Sequence, residues 1–582
     1  AAASRATAPR AASPPSAARL AAARLQRLMA DAWEEELRAD PQTATYLGDH
    51  RYDDRWTDMS QAGIEARHAH DLAMLQQLQA IPRAALDAGR RLDYDLFERQ
   101  YRERLAAWPF KPWLYLIDHQ GGIQTLSETA ELLPFATAAD YRNWIARLRA
   151  VGTLVDQHIA LLERAAHEGR TQPRAIMERI VPQLALQAVE RPEDSPFYAP
   201  FRHLPESIPA GERSELDAAG RNAIAEVVLP AYRRLQAEFI ERYLPRTRAS
   251  IGIYDTPDGA AFYRERIAHH TTRGDLTAAQ LHATGLAEVA RIRGEMLGVM
   301  QQVGFQGDLA GFFALLRSDP RFYYRTPQEL FDGYVLIAKR IDPNLVRLFG
   351  VLPRTPYGVR EIPATSAPNT TTAYYQPSAD DGTRAGYYYV NLYRPEVRPK
   401  WEMEVLTAHE AVPGHHLQIA LGQERRDLPA FRRNAAYTAF VEGWALYSES
   451  LGAELGLYQD PYSHFGQLTY DMWRAVRLVV DTGIHAKGWT EDQAVDYMMK
   501  TGRRPADQAR SEVRRYITLP GQATGYKIGM IKIVALRQKA EQALGPKFDI
   551  KRFHDMVLEN GALPLGVLAR EADDWIAKER AR

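Results

Sequence analysis

The residues with the most chemical promise lie in one stretch, Glu404-Val-Leu-Thr-Ala-His409-Glu410-Ala-Val-Pro413-Gly414-His415-His416-Leu-Gln418. Two imidazoles on one helix face can share a zinc ion, and a glutamate beside the first can act as general base on a water there. The usual spacing of the two histidines is i and i+4. Here the second falls at i+6 or i+7. On a regular helix His409 and His416 would share a face but stand about 10 Å apart along the axis. Zinc–nitrogen bonds of about 2.0–2.1 Å cannot bridge that gap. Pro413 and Gly414 supply the needed irregularity, because proline breaks the hydrogen-bond ladder and glycine accepts conformations other residues resist. A bulge there absorbs two extra residues and returns His415 to the place of the second ligand, with His416 as the alternative.

A catalytic zinc usually takes three protein ligands and leaves one position open. The next candidate is the stretch Phe440-Val441-Glu442-Gly443-Trp444-Ala-Leu-Tyr447-Ser-Glu449. Glu442 lies 33 positions after His409, room enough for one helix to end and another to return with a carboxylate beside the imidazoles. Glu449 sits two turns further along the same face, where it can orient a ligand rather than be one. The chain has no cysteine, which excludes thiolate ligands, a cysteine nucleophile and a disulfide framework. A nitrogen-and-carboxylate set favours zinc, with manganese, cobalt and iron as alternatives.

The elements that must position these groups read as helices. Leu25, Leu28, Met29, Trp33 and Leu37 recur at spacings of three and four and mark one apolar face. Similar patterns predict helices near 60–80, 92–107, 140–167, 212–244, 276–303 and 326–342. The proline-rich stretch from Leu352 to Pro399 differs. Its run Gly386-Tyr387-Tyr388-Tyr389-Val390-Asn391-Leu392-Tyr393 predicts a short strand. That strand is placed to line a cleft and pair with an extended substrate, with Tyr388 and Asn391 as substrate-binding residues. The expected fold is mainly α with one small β-sheet ahead of the metal motif. Residues 1–18, rich in Ala, Pro and Ser, read as a leader or tether, and 19–582 as one catalytic unit.

Lys plus Arg and Asp plus Glu number 73 each, so no global field attracts nucleic acid or an anionic membrane. No run of apolar residues is long enough for a transmembrane helix. The Ala/Pro/Ser-rich opening fits an export signal already removed, hence a periplasmic or secreted protein. Nothing in the sequence fixes the oligomeric state.

The metal stretch resembles the bacterial domain-of-unknown-function family 885, which carries a His-Glu-x-x-Pro-Gly-His core followed by a Glu-Gly-Trp helix. The resemblance runs from about Leu25 to the C-terminus and includes Pro41 to Gly48, Gly386 to Asn391, Arg515-Tyr516 and Pro520-Gly521-Gln522-Ala523. More distantly, Phe440-Val441-Glu442 resembles the third-ligand helix of the thimet oligopeptidase family. His409-Glu410-Ala411 with Gly414-His415 is similar to the carboxypeptidase Taq motif carrying a two-residue insertion. These resemblances imply a large helical metallopeptidase-like fold with a deep central cleft, peptide hydrolysis, and Glu442 as a ligand. The expected activity is therefore zinc-dependent cleavage of short or unstructured peptides by a metal-activated water with Glu410 as general base. Hydrolysis of a non-peptide amide or ester, and a non-catalytic metal-containing binding protein, are the alternatives. The oxyanion of the tetrahedral intermediate needs a donor, for which His485 and Tyr526 are candidates. Arg515 is a candidate grip for a substrate carboxylate.

Overall fold

A computed structural model describes residues 16–582 except 365, 366, 368–370, 380, 381, 383, 503 and 504. Residues 1–15 of the leader lie outside the described residues. The architecture is mainly α, with one three-stranded sheet. The first helix, Ala17–Ala39, is capped by Ser16 and buries Leu25, Leu28, Met29 and Leu37, the face that the spacing marks.

Helices at Gln61–Gln79, Ala88–Ala107, Ala138–Glu168, Ala278–Gln302 and Pro327–Ile341 follow the periodic segments closely. Their ends are written in the sequence. Thr137 with Asp140, and Thr326 with Glu329, form capping boxes, and Gly169 closes its helix in the left-handed region. The segment 212–244 is interrupted. Ala210–Ala223 runs into a π-helical turn at Ile224–Val228, continues as Leu229–Glu238 and ends in a second π turn at Phe239–Tyr243.

Two large apolar cores divide the molecule. One is built from residues of the N-terminal half, such as Trp144, Leu148 and Tyr232. The other surrounds the metal motif and includes Val405, Phe440, Trp444 and Leu563. The helix Pro461–Lys487 contributes Phe465 and Val476 to the first and Tyr470 to the second. This central helix is set at its start by Asp460 and Pro461 and closed by Gly488. From Phe465 to His485 it is buried nearly all round, so the polar residues it carries, among them Asp471, Arg474, Arg477 and Asp481, must find partners inside the protein.

The sheet consists of β1 (Tyr357–Glu361), β2 (Ala373–Gln376) and β3 (Gly386–Val390), in the order β1-β3-β2. β3 runs parallel to β1 and antiparallel to β2. This corrects the expectation for the tyrosine-rich strand. It is the middle strand, so both of its edges are occupied and it has no backbone edge to offer a substrate. No helix among the described residues is long and apolar enough to cross a membrane.

Candidate metal centre

The first histidine sits at the end of a buried helix, Met403–Glu410, whose residues from Met403 to His409 are all buried. Ala411 leaves helical geometry, and the Val412–Pro413 peptide is cis. A second helix, His415–Glu424, starts after Gly414. Gly414 is required by contact. A Cβ there would lie 1.9 Å from the His409 carbonyl oxygen and 2.5 Å from that of Ala408. The chain thus folds back on the end of the first helix, and the His416 amide donates across the insertion to the Ala411 carbonyl at 3.1 Å.

The bulge is fastened by the helix that carries the carboxylate, Thr438–Ser450. From it Trp444 Nε1 donates to the Pro413 carbonyl at 2.9 Å, and Ser448 Oγ to the same oxygen at 3.3 Å. One helix therefore fixes the bulge and presents Glu442 to it.

The result is a cluster of His409, His415 and Glu442 with ligand atoms all within 4.8 Å of one another, the one such group among the described residues. Glu442 Oε2 lies 3.7 Å from His409 Nε2 and 3.5 Å from His415 Nε2. Two donors bound to one tetrahedral zinc at 2.0–2.1 Å stand about 3.3 Å apart, so both Glu442 pairs are already close to that spacing. His409 Nδ1 donates to Glu449 Oε1 at 2.8 Å, which leaves the lone pair on Nε2 facing Glu442. Glu449, fully buried, is held in turn by Arg474 at 3.4 Å.

Electrostatics point the same way. Burial works against a charged His409, but hydrogen bonds to Glu442 and Glu449 outweigh it and push the ring up to about 9. Burial alone would raise the Glu442 carboxyl; the two histidines hold it well below the usual range instead. Two carboxylates around one imidazole suit a bound cation, and the nitrogen-and-oxygen donor set suits zinc. Burial raises the Glu410 carboxyl, His409 and His415 oppose that, and Glu442 adds to it, which places Glu410 within electrostatic reach of all three.

The other candidates separate clearly. His416 turns away to the sheet, with Nδ1 2.9 Å from the Tyr375 hydroxyl and its ring 4.7 Å from that of Tyr357. His485 is also spent elsewhere. Its Nδ1 accepts from the Ile253 amide at 3.1 Å and its Nε2 donates to the Tyr516 carbonyl at 2.9 Å, so neither nitrogen is left for an oxyanion. Tyr388 is fully buried, edge-on to Tyr334 with its hydroxyl 3.4 Å from Thr407, a packing residue under the sheet. Asn391 uses its amide to donate to the Ala367 and Thr371 carbonyls at 2.8 and 3.1 Å and accepts from the Tyr393 amide, which pins a loop. These three expectations, an oxyanion donor and two substrate contacts, give way to structural roles.

Tyr526 keeps its chemical freedom. It lies on the helix Gln522–Leu544, which packs along the Glu442 helix with Gly443 against Gly529. Its hydroxyl oxygen accepts from Arg515 at 3.3 Å and Gln522 at 3.4 Å, leaving its proton for another acceptor. Arg515 itself is half-buried. The sequence reading missed Arg474 and the Trp444 and Ser448 clasp. Arg474 did leave a signal, since Trp473-Arg474-Ala-Val-Arg477-Leu-Val-Val places two cations in an otherwise apolar helical run.

Residues 41–571 match the family described as "Bacterial protein of unknown function (DUF885)". Two solved structures share the fold. One is a "putative lipoprotein" from Colwellia psychrerythraea, with a TM-score of 0.90 and 28% identity, covering 97% of this chain and 100% of that one. The other is a "putative lipoprotein of unknown function" from Shewanella oneidensis, with a TM-score of 0.68 and 20% identity, covering 96% and 99%. No curated protein matches the chain. With nearly its whole length matched, this chain belongs to the DUF885 family of bacterial proteins.

Proposed function

We propose that this protein is a zinc-dependent peptidase acting on short or unstructured peptides. The observation that carries the reading is the convergence of His409 Nε2, His415 Nε2 and Glu442 Oε2 beside Glu410, with His409 oriented by Glu449. A purely structural site needs no neighbouring base and is usually closed by a fourth ligand. His409, His415 and Glu442 would hold the ion, which supplies a Lewis acid and makes a water at the site easier to deprotonate. Glu410 takes the proton of the attacking water and returns it to the amine as the carbon–nitrogen bond breaks. The Tyr526 phenol donates to the oxyanion formed at the scissile carbonyl. The lipoprotein descriptions of both structural relatives support a place outside the cytoplasm, periplasmic or secreted. Recovery of the full chain in the cytosolic fraction would count against that placement.

The deciding experiment compares wild type with Glu410→Gln on a pool of synthetic peptides, read by mass spectrometry, with zinc measured in both proteins. Cleavage by wild type alone, with zinc in both, is the expected result. Zinc in both but cleavage by neither would direct attention to a non-peptide amide or ester, or to a binding role. Zinc in neither would overturn the ligand set.

A further inference from the structure

Close to the cluster's outer support, two arginines share the field of one carboxylate, that of Glu512. Arg477, on the central helix, is 3% exposed. Its Nε donates to the Tyr516 hydroxyl at 3.0 Å and one terminal nitrogen pairs with Glu512 at 3.1 Å. The other, Nη1, is buried with no hydrogen-bond partner. Arg515, on the helix Ala506–Thr518, is bonded only to neutral oxygens, those of Gln522 and Tyr526, each at 3.3 Å. Among the described residues no carboxylate pairs with it.

One aromatic ring joins the two. The Arg477 guanidinium lies 4.4 Å from the centre of the Tyr526 ring, and Arg515 donates to the hydroxyl of that ring. A second ring ties them to the metal cluster. Trp473 is flanked by Arg477 at 4.5 Å and by Arg474 at 4.7 Å, and Arg474 holds Glu449 behind His409. A buried cationic donor left unmet is costly, and two guanidiniums side by side share one carboxylate, so a second carboxylate would find an open donor at Arg477 Nη1.

We infer that Arg477 and Arg515 form a carboxylate subsite that takes the free C-terminus of a peptide, so that the protein acts as a carboxypeptidase; the catalytic half of this rests on the hydrolytic reading above. Guanidinium groups match a carboxylate in plane and in donor spacing. Arg515 donates to the Tyr526 hydroxyl at 3.3 Å, so a carboxylate held by the arginine lies beside the phenol offered above as the oxyanion donor.

The test uses three probes on the full-length Glu410→Gln protein with zinc bound, by titration calorimetry. They are acetyl-Ala-Ala-Phe as free acid, its carboxamide, and acetyl-Ala-Glu-Phe carboxamide, whose only carboxylate is on a side chain. Wild type is assayed in parallel for cleavage of the same peptides. The free acid is expected to bind about 10- to 100-fold more tightly than either carboxamide, the size of a charged hydrogen-bond pair. Arg515→Gln, at a half-buried position, should bring the ratio close to one, and Arg477→Lys should reduce it. Equal binding of acid and carboxamide, no binding of the acid, or a ratio that survives Arg515→Gln overturns the subsite. Tight binding of the glutamate-bearing carboxamide overturns the C-terminal assignment. A preserved ratio without cleavage by wild type removes the hydrolytic reading and leaves the carboxylate subsite standing.

Discussion

Glu449 Oε1 stands 2.8 Å from His409 Nδ1, while Glu442 Oε2 stands 3.7 Å from the other nitrogen of the same ring. One imidazole is thus held between two carboxylates of a single helix, one to share an ion with it and one to aim it.

Loss of the aiming group should weaken metal binding without removing a ligand. Glu449→Gln is expected to raise the zinc dissociation constant about 10- to 100-fold. Competition against a chromophoric chelator measures it, and an unchanged constant would show that Glu449 merely fills space.

The bulge makes a sharper prediction. In Gly414→Ala the new methyl would meet the His409 carbonyl at 1.9 Å, so the insertion cannot keep its path and His415 must leave the cluster. Zinc content should fall below one equivalent, with a stability loss of about 1–3 kcal/mol or more. Gly298, in a helix interior with open space where a Cβ would go, is the control: Gly298→Ala should leave zinc content unchanged and raise stability by about 0.5–1 kcal/mol. Full zinc occupancy in Gly414→Ala would contradict the packing described.

Tyr526 and His485 should part company in kinetics. Tyr526→Phe keeps the ring but removes the hydroxyl that accepts from Arg515 and Gln522, so kcat should fall about 10- to 1000-fold with only a modest fall in Tm. His485→Asn breaks two backbone contacts in the interior and should lower Tm while the folded enzyme keeps its kcat. The reverse pattern would restore His485 as the oxyanion donor.

Two buried histidines make stability depend on pH. Burial pushes both His485 and His554 down to about 3, although each bonds a backbone carbonyl, that of Tyr516 and of Leu348 respectively. In the unfolded chain each ring takes a proton below about 6.5, so between that value and 3 the unfolded state binds more protons and stability falls as pH falls. Each ring contributes about 1.4 kcal/mol per pH unit, or about 2 kcal/mol between pH 7 and pH 5. Urea unfolding of wild type and His485→Asn at both pH values tests this. The difference between the two proteins should shrink by about 2 kcal/mol at the lower pH, and parallel curves would refute it.

Much of this was legible in the sequence, for reasons that particular residues explain. Helical spacing and capping pairs such as Thr137 with Asp140 are local signals, so the helices and their ends could be read directly. The residues that converge were legible by type and order, because Pro413-Gly414 between two histidines reads as a bulge rather than a continuous helix. The roles of Tyr388, Asn391 and His485 were not. A run of tyrosines says strand but not whether it is central or at an edge, and that depends on β1 and β2 pairing on either side. His485 is anchored by Ile253, 232 residues away, a partner no local pattern can announce. Arg477 was hidden similarly, since its neighbours Tyr516 and Tyr526 come from two later helices.

At Gly443 a side chain would strike the Gly529 backbone at 2.5 Å, and at Gly529 it would strike the Ala439 carbonyl at 1.8 Å. The helix bearing Glu442 and the helix bearing Tyr526 therefore touch main chain to main chain, with no cushion of side chains to compress or expand. The gap between them works as a fixed gauge. Relatives that handle a bulkier or longer molecule would have to widen the opposite wall, because this one has nothing left to trim.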